Sequence, residues 1–155
     1  MNPTTGIAVR RELVVHAPRD RAFAKFVDMT AWWPLETHAL GATPARSSTI
    51  EPRAGGRWYE IDANGEQHTI GEVVAYEPPD RLLLTWDVSC GFTYDPSFRT
   101  EVEVTFADEA PGHTRVVLEH RGLEAHGERA EESRALYEGD GAWTAVLARF
   151  AAAFG

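Results

Sequence analysis

The sequence predicts an α+β domain in which a curved antiparallel sheet wraps around a long C-terminal helix. Three observations lead to this prediction. The middle of the chain alternates apolar and polar residues, a helical period occurs only towards the two ends, and aromatic residues mark one face of the last helical segment. Strands and helices that are segregated along a chain are typical of the α+β class. An antiparallel sheet with one solvated face needs a cover for the other face, and the aromatic stripe can provide it.

The N-terminal third is predicted to contain one strand followed by short helices. Residues 7–16 alternate loosely between apolar and polar side chains, which indicates a strand. The Ala-Pro pair at 17–18 then begins a helix, because proline fits the first helical turn, and the apolar positions within 22–27 recur at helical spacing. This helix is predicted to end at residues 28–30. Residues 36–48 are mostly small and polar and are predicted to form a loop.

From residue 49 onward, the middle of the chain is predicted to form antiparallel strands joined by short turns. The Asn-Gly pair at 64–65 is a strong hairpin signal, because both residue types accept positive φ. The Pro-Pro pair at 78–79 ends the strand that follows. The predicted strands are residues 57–62, 67–76, 81–88, 100–106 and 114–121.

The C-terminal third is predicted to be helical. Residues 128–138 are rich in Glu and Arg, and Glu–Arg pairs at helical spacing are typical of a solvated helix face. Gly139 interrupts this helix, and Asp140 is the expected N-cap of the next one. The last helix carries a continuous apolar stripe, which consists of Trp143, Val146, Leu147, Phe150 and Phe154.

Composition limits the classes of function. A chain of 155 residues with 43% hydrophobic residues fits a single domain over residues 1–155 and excludes a disordered segment. The net charge of −9 disfavours nucleic acid and anionic lipid as partners. The sequence contains neither a run long enough for a membrane helix nor a signal-peptide core, so we expect no membrane insertion. The single cysteine, Cys90, allows no internal disulfide, and we therefore expect a cytoplasmic protein.

Five sequence blocks carry a resemblance to a known superfamily. In chain order they are Trp32-Trp33-Pro34-Leu35 and the segments 51–60, 71–82, 100–104 and 118–124. Their order and spacing resemble the helix-grip, SRPBCC or START-like, superfamily, which includes START lipid-transfer domains and Bet v 1 allergens. Within it the chain resembles the bacterial branch related to the activator of Hsp90 ATPase domain. The resemblance implies a helix-grip fold, a scaffold that hosts binding, transport, cyclisation and hydrolysis.

In a helix-grip fold, the helix and the inward residues of the strands enclose a cavity. Alternation leaves the strand at 57–62 ambiguous, and the resemblance implies that Trp58, and with it Glu60, faces inward. Trp33 and Trp143 are expected at the mouth of the cavity. The predicted cavity-lining residues are Trp33, Trp58, Glu60, Trp86, Val104, Phe106, Leu118, His120, Trp143 and Leu147.

Two interpretations of these residues stay open. The five tryptophans of the chain can form an aromatic cage for a flat or hydrophobic ligand, or they can simply fill the core. His120 with Glu60 or Glu72 can form an acid–base pair, or the histidine can be a core residue and the carboxylates solvated. Asp87 is expected on the solvated face, opposite Trp86.

The sequence disfavours metal and cofactor chemistry. The remaining histidines fit no metal-binding spacing, and Cys90 has no adjacent base, so we expect neither a metal, a cofactor nor a cysteine nucleophile.

The leading functional hypothesis is the binding of a small hydrophobic or aromatic molecule between the helix and the sheet, without established catalysis. One alternative is a cyclase-like or hydrolase-like enzyme that uses Glu60 or Glu72 with His120. A second alternative, implied only by the family name, is an Hsp90-type chaperone or other protein-interaction module. A homodimer is also possible, because small helix-grip proteins can pair through an exposed sheet edge or an apolar loop, but the sequence indicates no particular interface. The balance favours a binding protein over an enzyme.

Overall fold

Seven strands and three α-helices form in the part of the chain that the computed structural model describes, residues 7–38, 44–89 and 93–154. The strands are β1 (Val9–Val15), β2 (Ala45–Ile50), β3 (Arg57–Asp62), β4 (Gln67–Glu77), β5 (Arg81–Trp86), β6 (Thr100–Ala110) and β7 (His113–Arg121). The helices are α1 (Arg19–Val27), α2 (Ala130–Glu138) and α3 (Trp143–Ala152). Short 3-10 turns lie at Met29–Ala31, Pro96–Phe98 and Leu123–Arg129. None of the helices described is long and apolar enough to cross a membrane.

All seven strands form one curled antiparallel sheet with the order β1-β7-β6-β5-β4-β3-β2. Strands β2 to β7 follow one another as neighbours, and β1 returns to pair with β7, so β1 and β2 are the two edges. The helical segment from the last 3-10 turn to α3 covers the concave face. This arrangement confirms the helix-grip α+β fold that the sequence predicts.

The inner face of the sheet is a continuous apolar layer. Leu82, Val104 and Leu118 lie side by side on β5, β6 and β7, and all three are fully buried. The outer face is charged: Arg121 pairs with Glu101 and Glu103 at 3.1 and 2.8 Å. Inward and outward residues alternate here as the period of two predicts.

The closing helix is broken between α2 and α3, as Gly139 indicates. The prediction that Asp140 caps the last helix is wrong. Helix α3 begins at Trp143, its N-cap residue is Ala142, and no side chain caps it. A residue distant in sequence, Arg11, forms hydrogen bonds on both sides of the break instead. Arg11 of β1 donates to the carbonyl of Glu138 at 2.9 Å and to the Thr144 hydroxyl at 3.1 Å. A helix end that is satisfied from another element carries no local sequence signal.

Strand β2 replaces part of the predicted loop at 36–48. Its residues 45–48 are Ala, Arg, Ser and Ser, which show no alternation of large apolar and polar side chains. The inward Ser48 is nevertheless buried, and its hydroxyl accepts the Trp58 indole N–H at 3.2 Å. A serine therefore takes the place of an apolar residue because the neighbouring strand brings a donor that needs a partner.

Asp87 is buried, so the prediction that its side chain is solvated is wrong. The carboxylate accepts two hydrogen bonds from Arg99, both of 2.8 Å, and one from the Thr85 hydroxyl at 3.2 Å. Hydrogen bonds to Asp87 in turn raise the pKa of Arg99. The Arg99 side chain, 43% exposed, covers a carboxylate that strand alternation alone places in solvent.

Candidate functional site

A cleft of about 650 Å³ opens where the break between α2 and α3 faces the segment that follows Met29–Ala31. Four aromatic side chains line it: Trp33, Trp86, Tyr137 and Trp143. Leu136 and Val146 add aliphatic surface, and Thr37 and His38 lie at the rim. This volume lies within the range of small-molecule sites, which are mainly apolar with a few polar groups.

The aromatic wall is built from edge-to-face contacts. The ring centroids of Trp33 and Trp143 are 6.1 Å apart with an interplanar angle of 73°. Those of Trp86 and Trp143 are 5.8 Å apart at 62°. Tyr137 stands nearly perpendicular to Trp86, at 89°. Such geometry is favourable for aromatic pairs, and it turns ring faces and edges in different directions around the cleft.

The indole N–H groups of the cleft tryptophans all bond within the protein. Trp33 donates to the carbonyl of His38 at 3.1 Å, Trp86 donates to the Tyr137 hydroxyl at 2.9 Å, and Trp143 donates to Nδ1 of His120 at 3.0 Å. These three residues therefore present carbon atoms, rather than free indole N–H donors, towards the cleft.

His120 lies directly behind this wall on β7 and is fully buried. Its ring centroid is 4.6 Å from that of Tyr137, 5.7 Å from that of Trp86 and 5.8 Å from that of Trp143. Its Nε2 is 2.8 Å from the Thr100 hydroxyl. Burial lowers the pKa of His120 to about 3, so the imidazole is neutral at pH 7.

The polar rim of the cleft joins two segments of the chain. His38 Nε2 is 2.8 Å from the carbonyl of Gly141, and His38 Nδ1 is 2.7 Å from the Thr37 hydroxyl. The first contact holds the segment after the 3-10 turn against the break between α2 and α3. Leu136 is 40% exposed beside it, which leaves an accessible apolar edge.

The structure divides the predicted cavity residues into two groups. Trp33, Trp86 and Trp143 line the cleft. The other seven do not line the cleft, and they are no more exposed than Trp143, at most 4%: Trp58, Glu60, Val104, Phe106, Leu118, His120 and Leu147. Five of these seven, all except Glu60 and His120, belong to the same hydrophobic core cluster as the three cleft tryptophans, and their side chains fill the space between helix and sheet.

Nine lining residues were missing from the predicted set: Thr37, His38, Ala135, Leu136, Tyr137, Gly139, Gly141, Ala142 and Val146. A signal existed for Val146, which belongs to the apolar stripe of the last helix. The apolar Leu136 and Tyr137 just before Gly139 were a weaker signal. For Thr37 and His38 there was none, because a polar loop carries no periodicity.

The proposed acid–base groups are not all brought together. Glu72 has a side chain that is 49% exposed and pairs with Arg99. His120 is enclosed behind the wall, with Trp143 on one nitrogen and Thr100 on the other. Among the residues described, no cluster of three or more His, Cys, Asp or Glu side chains is suited to a metal ion. Cys90 lies outside the described residues.

Comparison with known proteins agrees with this architecture. Residues 16–155 match the family model described as "Activator of Hsp90 ATPase homolog 1-like protein". The chain is 34% identical to anthrahydroquino-gamma-pyrone synthase Txn09, solved in complex with SUM. That match covers 93% of this chain and 94% of that one, with a TM-score of 0.64.

A second similar structure is CalC, a self-sacrificing resistance protein from Micromonospora echinospora. It is 29% identical over 95% of this chain and 93% of its own, with a TM-score of 0.66. A protein from Rhodobacter sphaeroides shares the fold, with 17% identity over 94% of this chain and 91% of its own and a TM-score of 0.65. No curated protein matches the chain.

Proposed function

Because this chain belongs to the activator of Hsp90 ATPase homolog 1-like family, on an SRPBCC-type helix-grip fold, we propose that its cleft binds a small, flat, largely aromatic molecule. The observation that carries the proposal is the wall of Trp33, Trp86, Tyr137 and Trp143 around a space of about 650 Å³. The indole N–H groups of this wall are already bonded, so stacking and apolar burial would supply the affinity.

The energetics favour a ligand of two to three fused rings. A molecule that buries about 200 Å² of apolar surface gains roughly 5 kcal/mol from its removal from water. Part of this gain is offset by the loss of translational and rotational freedom. A preformed wall reduces the remaining cost, because its aromatic side chains are already held in place. Since 5 kcal/mol corresponds to a Kd of about 0.2 mM before this offset, an affinity on the order of 1 mM is expected for a neutral polycyclic compound.

The name of one relative supports the same class of ligand. The relative that is 34% identical is named for an anthrahydroquinone product, and an anthrahydroquinone is a flat fused-ring system. The alternative of an acid–base enzyme built on Glu60 or Glu72 with His120 receives less support, because Glu72 pairs with Arg99 and His120 is sealed and neutral.

A chaperone-binding role also receives less support. The exposed large apolar side chains among the residues described are Val14, Val74, Tyr94 and Leu136, and they stand on four separate segments. A protein-docking site usually needs a contiguous apolar patch. An Hsp90-type partner, a homodimer and a cytoplasmic location remain predictions.

The proposal can be tested with Leu136→Ala and a matched control, Val74→Ala. Both side chains are exposed, at 40% and 47%, so both variants should fold. Leu136 lines the cleft, and its truncation should weaken binding of 1,8-dihydroxyanthraquinone about fivefold, or about 1 kcal/mol, because less apolar surface is buried. Val74→Ala should bind as the wild type does.

Isothermal titration calorimetry or quenching of tryptophan fluorescence gives the affinities. A panel of 1,8-dihydroxyanthraquinone, 2-naphthol and a non-aromatic ring such as cyclohexanol separates aromatic recognition from general hydrophobic binding. The proposal is wrong if the wild type binds no aromatic member of the panel, or if Leu136→Ala and Val74→Ala have equal affinities.

A further inference from the structure

We propose that His120 is a positioning residue for the cleft, which holds Trp143 in its binding orientation through a buried hydrogen-bond chain with only one arrangement of protons. This inference rests on the proposed function. His120 does not line the cleft itself, but its ring contacts three residues that do, Trp86, Tyr137 and Trp143. It would act on a ligand through them.

The chemistry of the two ends determines the direction of every hydrogen bond in the chain. The Trp143 indole nitrogen can only donate, so Nδ1 of His120, 3.0 Å away, must accept. The remaining proton of the neutral ring is then on Nε2, which donates to the Thr100 hydroxyl at 2.8 Å. Thr100 in turn directs its own proton to the carbonyl of Trp86, 3.0 Å away, which can only accept. No member can reverse without leaving a buried group unsatisfied.

The hydrogen-bond chain connects two residues that line the same cleft, Trp143 and Trp86. It begins at the Trp143 side chain at the start of α3 and ends at the backbone of Trp86 on β5. The side chain of Trp86 is held separately, by its bond to Tyr137 of α2. Hydrogen bonds that involve the sheet and both helices therefore fix the positions of Trp86 and Trp143 relative to each other. Their rings, 5.8 Å apart, are preorganised for a ligand.

The arrangement requires an uncharged imidazole. A second proton on His120 would lie on Nδ1 and face the N–H of Trp143, two donors with no acceptor between them. His38 at the rim differs in this respect. Its Nδ1 faces the Thr37 hydroxyl, which can rotate and accept, so the contact is compatible with either protonation state. The tryptophan partner thus makes His120 a fixed acceptor.

The inference can be tested by a double-mutant cycle with 1,8-dihydroxyanthraquinone as the probe. His120→Leu removes the acceptor and should weaken binding about tenfold. Trp143→Phe removes the donor but retains an aromatic ring. In the Trp143→Phe background, His120→Leu should weaken binding less than twofold further, because the hydrogen bond through which it acts is already absent.

A second variant and a spectroscopic signal guard against a merely structural effect. Thr100→Val is isosteric and removes the group that fixes the imidazole tautomer, so it should also weaken binding only while Trp143 is present. Indole N–H signals in ¹H–¹⁵N spectra, assigned with Trp143→Phe, should show that the Trp143 N–H shifts and exchanges faster in His120→Leu. The control Val116→Ala, a fully buried change on the same strand, should leave that signal and the affinity unchanged.

The outcomes separate the two proposals. Equal losses of affinity from His120→Leu in both backgrounds, or an unchanged Trp143 signal, would overturn the positioning role while the binding function stands. A Val116→Ala variant that weakens binding as much as His120→Leu would also overturn it. A wild type that binds no aromatic probe would overturn the proposed function, and the positioning role with it.

Discussion

The buried His120 makes the stability of this protein sensitive to mild acid. Its pKa is lowered to about 3 by burial, with a smaller contribution from the charge of His126, whereas the pKa of this histidine in the unfolded chain is near its ordinary value of 6.5. As the pH falls below 6.5, His120 therefore becomes protonated in the unfolded chain but stays neutral in the folded protein. The free energy of unfolding must decrease over this window, and the loss is complete only near pH 3.

The size of the effect follows from the two pKa values. Each pH unit between them changes the unfolding equilibrium tenfold, so a change from pH 7.5 to pH 5.0 removes roughly 2 kcal/mol. This is a substantial part of the stability of a typical domain. The rings that surround the imidazole, Trp86, Tyr137 and Trp143, carry no charge at these pH values to compensate a proton there.

The assay is urea unfolding, followed by circular dichroism, at pH 7.5 and pH 5.0. The wild type should lose roughly 2 kcal/mol more over this interval than His120→Leu, which has no proton to take up. All other histidines are common to both proteins, including His126, whose pKa is also lowered by burial. Val116→Ala, destabilised but with His120 intact, should retain the wild-type loss. Equal losses in the wild type and His120→Leu would refute the reasoning.

Two further predictions concern stability alone. Gly71→Ala should lower the free energy of unfolding in urea by about 3 kcal/mol, because a Cβ atom there would lie 1.9 Å from the backbone oxygen of Thr85. Gly141→Ala, where a Cβ atom would meet no atom within 4 Å, should lower it little. Equal losses in the two variants would contradict this prediction. Arg99→Ala should lower the free energy of unfolding by about 2 kcal/mol, because it removes the charged partner of the buried Asp87. Arg10→Ala, which breaks an exposed ion pair with Glu12, should change it by no more than about 0.5 kcal/mol. A small loss from Arg99→Ala would show that water replaces the guanidinium.

The strands of the sheet were predictable wherever one face is apolar and the other charged. The predicted bounds for β3 agree with the structure, and those for β4 and β7 differ by one residue, because alternation reports burial directly. Strand β2 escaped prediction since its buried Ser48 is polar and has a partner in Trp58. Asp87 escaped for the same reason, as the Arg99 that covers it is distant in sequence.

The site was predictable in composition but not in depth. Aromatic content and the resemblance to a helix-grip fold predicted a cavity lined by tryptophans, and Trp33, Trp86 and Trp143 do line a cleft. Periodicity distinguishes inward from outward residues, but it cannot tell an inward residue at an opening from one in the core. That difference depends on where α2 packs, which distant contacts such as that of Arg11 with Glu138 determine.

The broken closing helix has a consequence for how such a protein could diversify. The opening is formed largely by the short connection between α2 and α3, whereas the apolar interior that stabilises the fold lies beneath it. Substitutions at Ala135, Leu136 or Ala142 can therefore change the shape offered to a guest molecule with little penalty in folding. Changes at a few residues of the α2–α3 connection could therefore alter which small molecules fit the cleft, while the sheet keeps its structure.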